Sequence, residues 1–137
     1  MGKNERGFTL IELITVIILV SIISVSVFSR LGSVSSANLQ ASRDDIIAAL
    51  FFAQQTAMAR SNIQLIVTAN SVSVTENGTP IVVHSKGYPL TLASGVTATA
   101  ASLTYDKLGR TSATTIGLSS TSGASASIVV EASGYAH

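Results

Sequence analysis

Glu12 is the one charged residue between Arg6 and Arg30. It sits in GFTLIELITVIILVSIISVSVFS, a stretch otherwise apolar or small. An ionisable group in a bilayer costs a few kcal/mol and usually marks function. Two readings follow. Near the start of the run, the acid is tolerated by snorkelling to the interface. Alternatively, it waits for a cationic partner inside an apolar environment. A cut after Gly7 would supply one, because it creates a positive α-amine on Phe8, four residues before Glu12. Within one helix that amine and Glu12 form an i,i+4 pair. Between staggered copies, the amine of one chain neutralises Glu12 of the next.

The remaining reactive residue types do not converge. The histidines are His84 and His137, with no neighbouring ligand in sequence, and there is no cysteine. That spacing argues against a metal site. Serine and threonine are abundant, but no G-x-S-x-G or S-x-x-K pattern frames a nucleophile. Gly87, Gly95 and Gly109 are isolated turn glycines rather than a phosphate loop. Asp44-Asp45 are adjacent, and neighbouring helical residues do not face each other, so they read as a charged helix face. Asn77-Gly78-Thr79 matches a glycosylation sequon, but the same residues build a hairpin turn. Beyond Arg60 the cations are Lys86, Lys107 and Arg110, two of them beside one turn. They offer at most a small anion site, not the basic patch that nucleic acid requires. Tyr88, Tyr105 and Tyr135 are too few for a base-stacking platform. No cofactor is implied, and no acid, base and nucleophile come together to make an enzyme.

The element that must position Glu12 is a membrane helix. About 20 apolar residues cross a bilayer of roughly 30 Å, and Phe8–Ser29 is long enough. Lys3, Arg6 and the α-amine outweigh Glu5 in the leader, so the N-terminus stays cytoplasmic and the rest is exported. A conventional signal peptide has an apolar core of only about 7–15 residues and a small-x-small cleavage site. Ser35-Ser36-Ala37 is a weak candidate for that site. A plain uncleaved anchor is the competing reading. Net charge is +1, mean hydropathy is +0.51, and the absence of cysteine means that the exported part holds without disulfides.

Arg6-Gly7-Phe8-Thr9-Leu10-Ile11-Glu12-Leu13 resembles the type IV prepilin signature. The resemblance covers the leader and the whole apolar run. It implies that a prepilin peptidase at the cytoplasmic membrane face cuts after Gly7 and N-methylates Phe8. It also implies that Glu12 pairs with a neighbouring subunit's N-terminus during assembly.

Behind the membrane segment, Ser29–Ser36 is poor helix material, with Gly32 weakest. From Leu39 the apolar residues Ile46, Ile47, Leu50, Ala53, Ala57 and Met58 return at helical spacing. This predicts an amphipathic helix laid on a core. If continuous from Phe8 to about Arg60, it would be roughly 80 Å long. No proline breaks it near Ser29. From Ile63 the period becomes two. Strands are expected at Ile63–Thr68, Ser71–Thr75, Pro80–His84, Leu90–Leu92, Val96–Thr99, Ser102–Tyr105, Thr114–Leu118 and Ser127–Glu131. Asn77-Gly78 and Asp106–Gly109 read as turns, and Ser119–Ala126 as a flexible loop. The fold class is therefore α+β, a long N-terminal α-helix packed on a C-terminal, mostly antiparallel β-sheet domain. The expected organisation is a leader at 1–7, a transmembrane and assembly helix at 8–29, and a head at 30–137. The head comprises an amphipathic helix at about 37–60 and a sheet at 63–137.

Arg43-Asp44, Ala48-Ala49-Leu50, Ala57–Arg60 and the late turn Tyr105–Arg110 are similar to the GspH/FimT group of minor pilins and pseudopilins. The combination also resembles minor pilins of mannose-sensitive haemagglutinin pili. These resemblances imply a structural subunit, a minor pilin of a type IV pilus. Its partners would be prepilin peptidase, other pilin or pseudopilin subunits, inner-membrane lipid and an assembly platform. It would start in the inner membrane with its N-terminus cytoplasmic and its head periplasmic, then enter a pilus or pseudopilus. Two alternatives remain open: a minor pseudopilin of type II secretion, and a membrane-anchored periplasmic binding module that does not assemble.

Overall fold

The computed structural model describes residues 8–83 and 86–137, with the backbone alone at 28–33, 83 and 86. The leader Met1–Gly7 and His84 lie outside the described residues. The chain divides after Val34 into two compact units. One helix, α1, spans Leu10–Ala59. The weak stretch around Gly32 does not interrupt it.

In the first unit, Leu10–Val27 has a mean hydropathy of 2.7, and none of it is buried within the chain. By length and composition it can cross a bilayer. Its hydroxyls are satisfied internally, as lipid requires. Thr15, Ser21 and Ser24 donate to the carbonyls of Ile11, Ile17 and Val20 at 2.7–2.8 Å.

In the second unit, α1 buries Leu39, Ile46, Leu50, Ala53 and Ala57, the stripe that the spacing predicts. Ile47 is half-buried. Met58 departs from the expectation and stands 52% exposed. Against the stripe pack the strands β1 (Ile63–Val67), β2 (Ser71–Glu76), β3 (Thr79–Pro80), β4 (Val82–Val83), β5 (Lys86–Gly87), β6 (Leu90–Thr91), β7 (Val96–Ala98), β8 (Ala101–Thr104), β9 (Thr114–Ser120) and β10 (Ser125–Val130). One sheet runs β3-β2-β1-β8, with β6 also on β2; a second runs β10-β9-β7; β4 and β5 pair alone. The described pairings are antiparallel. Ile63, Leu65 and Val67 alternate inward from β1, and Val72 and Val74 from β2, opposite Ile116, Leu118, Ile128 and Val130 of the second sheet. The period of two thus builds one core from two sheets.

Two expectations are corrected. The strand expected over Pro80–His84 is divided: the Ile81 N–H still donates to the Val74 carbonyl at 2.9 Å, in register with the β2–β3 pair, whereas Val82–Val83 folds onto Lys86–Gly87. Half of the Ser119–Ala126 loop is strand. Ser125 and Ala126 pair with Ser119 and Leu118, leaving a tight turn. The other turns form as read. Asn77 and Gly78 both have positive φ, at 52° and 81°, as a type I′ hairpin requires. Gly109 has φ 74°.

Candidate functional site

The first turn of α1 is built around Glu12. Thr9 precedes the first helical residue and caps it. Its carbonyl accepts from the N–H groups of Glu12 and Leu13 at 3.1 and 3.2 Å. Its hydroxyl accepts the Glu12 N–H at 3.3 Å. In return, the Glu12 carboxylate accepts from the Thr9 N–H at 3.4 Å and the Thr9 hydroxyl at 3.3 Å. This is a reciprocal capping box. It gives the acid donors, and it places a negative charge where the helix dipole favours one. The capping interaction was legible in Thr9-x-x-Glu12, a Thr-x-x-Glu pattern ahead of an apolar run. Within the single chain, Thr9 is the partner of the Glu12 carboxylate.

Phe8 lies just outside the helix, 75% exposed. It is the residue whose nitrogen a cut after Gly7 would free. Gly7 itself lies outside the described residues. Leu10, Ile11, Leu13 and Ile14 surround Glu12 with exposed apolar side chains.

The other chemistry-bearing residues are dispersed in the head. Asp44 accepts from Gln40 Nε2 at 2.9 Å. Asp45 lies near Tyr88, whose phenol is raised above its ordinary pKa first by burial and then by that negative charge. The two carboxylates therefore serve different neighbours. Arg110 does not offer an anion site. Its Nε donates to Asp106 Oδ2 at 2.9 Å, and hydrogen bonds, first from the Arg110 backbone N–H and then from the Arg110 side chain and the Leu108 N–H, hold the Asp106 carboxyl below the usual range. Arg60 is likewise paired, with Glu76 at 2.9 Å. Asn77 serves its turn: Asn62 Nδ2 donates to its side-chain oxygen at 2.7 Å. His137 stacks on Tyr135 with ring centroids 5.4 Å apart. Among the described residues, no three His, Asp or Glu side chains are grouped to hold a metal.

Residues 2–28 match the prokaryotic N-terminal methylation motif. The fold is similar to that of the type IV minor pilin FimU of Pseudomonas aeruginosa, with a TM-score of 0.54. The chain combines a prokaryotic N-terminal methylation motif with a pilin-like fold, a long N-terminal helix packed on antiparallel sheets. Identity to FimU is 14%, over 72% of this chain and 90% of that one. No curated protein sequence matches the chain. The capping box of Thr9 and Glu12 lies within the residues that match the motif.

Gln54 was not singled out from sequence. Its Nε2 donates to the carbonyls of Gly109 and Ser133, both at 3.1 Å, tying two distant turns to the helix. No local pattern signals this, because its partners lie far along the chain.

Proposed function

We propose that this chain is a minor pilin, a structural subunit of a type IV pilus rather than an enzyme. In this reading the precursor is anchored in the inner membrane by Leu10–Val27, with its head outside. Prepilin peptidase cuts after Gly7 and methylates Phe8. The new amine then pairs with Glu12 of an adjacent subunit, which offsets the cost of taking that carboxylate out of its Thr9 cap and into a helix bundle. The pairing also sets the axial stagger. Apolar contacts along α1 then replace lipid.

The observation that carries this reading is Glu12, placed in the first helical turn beside Phe8 and within the methylation motif. The test is Glu12→Val. We expect normal processing and loss of filament incorporation, measured on sheared surface fractions. Normal incorporation of that variant would refute the assigned role. Gly7→Val should block maturation, since a branched side chain obstructs the scissile bond; efficient cleavage would contradict the assigned site. A minor pseudopilin of type II secretion shares all of these steps.

A further inference from the structure

Strand β9 carries a glycine that its backbone does not require. Gly117 sits in mid-strand, and its φ is not positive. A glycine inside a strand costs stability, and it marks a bulge or a place where another molecule comes close. The β9–β10 register runs through Gly117 without a bulge. What the missing side chain leaves is a dip of about 310 Å³ on the outer face of the sheet, with Thr97, Thr99, Ser119 and Ser125 among its walls.

The register places the surroundings, because directly opposite residues of an antiparallel pair share a face. Thr97, Ser119 and Ser125 form one row. Thr99, Gly117 and Ser127 form the next, and Thr115, Val129 and His137 the third. The serines and threonines of these rows are exposed, and no Asp, Glu, Lys or Arg stands among them. Thr97 and Ser119 share one hydrogen bond at 3.0 Å, which leaves a hydroxyl proton and lone pairs for a ligand. Arg43 is already engaged, its Nε donating to the Ser127 carbonyl at 3.4 Å. At the far end Tyr135 is 52% exposed. It stacks on His137 at 5.4 Å and is backed by Phe51 at 6.4 Å. With strands about 4.8 Å apart and a rise of about 3.4 Å per residue, His137 lies roughly 12 Å from Gly117, the span of a short oligosaccharide.

This face fits a ligand that is neutral, rich in hydrogen-bonding groups and apolar on one side. An anion finds no lysine or arginine in the three rows. A protein partner needs an apolar centre to its contact, and this centre is lined by hydroxyls. A sugar ring suits both ends: its hydroxyls bond to the rim of the dip, and its C–H face stacks on an aromatic ring. We propose that the outer face of the β10-β9-β7 sheet binds a neutral oligosaccharide, with one ring seated over Gly117 and another against the Tyr135–His137 pair. The site does not involve Glu12, so it stands or falls apart from the assembly reading.

The test uses the full-length chain, purified in a detergent without a sugar headgroup, on an array of neutral, sialylated and sulfated oligosaccharides. Neutral members should be retained over the acidic ones. Saturation-transfer NMR with a retained neutral oligosaccharide then reads the variants. Gly117→Val fills the dip with a residue that a strand accepts, so it should weaken binding about tenfold while the thermal melt stays unchanged or rises. Tyr135→Ala should weaken binding as well, and Tyr135→Phe should keep it. An array that holds no neutral glycan, or prefers acidic ones, overturns the proposal. So does undiminished binding by Gly117→Val. Should Gly117→Val melt lower, the tyrosine pair decides: equal binding by Tyr135→Ala and Tyr135→Phe overturns the site.

Discussion

At the scale of single residues, the proposed function gives Glu12 two roles in succession, cap partner of Thr9 and then partner of a neighbouring amine. Thr9 supplies a hydroxyl and an N–H to the carboxylate at 3.3 and 3.4 Å, long distances for charge-assisted bonds. A weak intramolecular cap suits a group that must later be handed to another partner. Thr9→Ala removes the cap's hydroxyl and should cost about 1 kcal/mol at the helix N-terminus. Amide exchange of a Phe8–Ser29 peptide in micelles checks this: the first turn should exchange faster while the centre stays unchanged. Tyr105 makes the contrasting case. Its side chain is 5% exposed, and its hydroxyl has no protein partner. Burial pushes the phenol up to about 12 from its ordinary 10. A folded-state pKa above the unfolded value means that this contribution is fully present below pH 10 and is lost as pH rises through about 12. Tyr105→Phe should therefore leave head stability at neutral pH unchanged or higher and flatten its alkaline loss in thermal melts. A variant markedly less stable at neutral pH would show that the hydroxyl is satisfied after all.

At the scale of elements, the head is a helix screwed onto two sheets, and what was legible depended on range. The helical stripe from Leu39 to Ala57 and the inward alternation of β1 and β2 were plain, because periodicity is local and burial enforces it. The hairpin at Asn77-Gly78 was plain because only a few residue types accept positive φ. The break at Ile81 was not visible. Pairing passes from β2 to Lys86–Gly87 after Ile81, a choice made by the partner strand rather than by the residue. The strand content of Ser119–Ala126 was hidden because Ser, Gly and Ala carry little β propensity, and pairing with β9 overrides it. Met58 kept the helical spacing yet faces outward over the Gly109 turn. Nor did any local signal mark Gln54 or Gly134. Gly134 has φ 85°, and a Cβ there would collide with the Gly109 carbonyl oxygen and Gln54. Gly134→Ala should destabilise the head by about 2–4 kcal/mol through backbone strain and overpacking. Chemical denaturation of the detergent-solubilised protein would measure it. A loss below about 0.5 kcal/mol would mean that the two turns part easily.

For the whole molecule, the two units carry different tasks. The N-terminal unit is an apolar helix whose hydroxyls bond to its own carbonyls, long and apolar enough to cross a bilayer. The head is a disulfide-free two-sheet domain with paired surface charges at Arg60–Glu76 and Asp106–Arg110. The stretch that matches the methylation motif was legible in sequence because it is short and continuous, and Gly7, Phe8, Thr9 and Glu12 lie within six consecutive residues of it. The assembly account depends on a positive amine that does not exist until Gly7–Phe8 is cut. N-terminal and intact-mass analysis of protein recovered from membranes of a host with active prepilin peptidase tests that most directly. The account predicts a chain beginning at N-methyl-Phe8. A chain that retains Met1–Gly7 would contradict it.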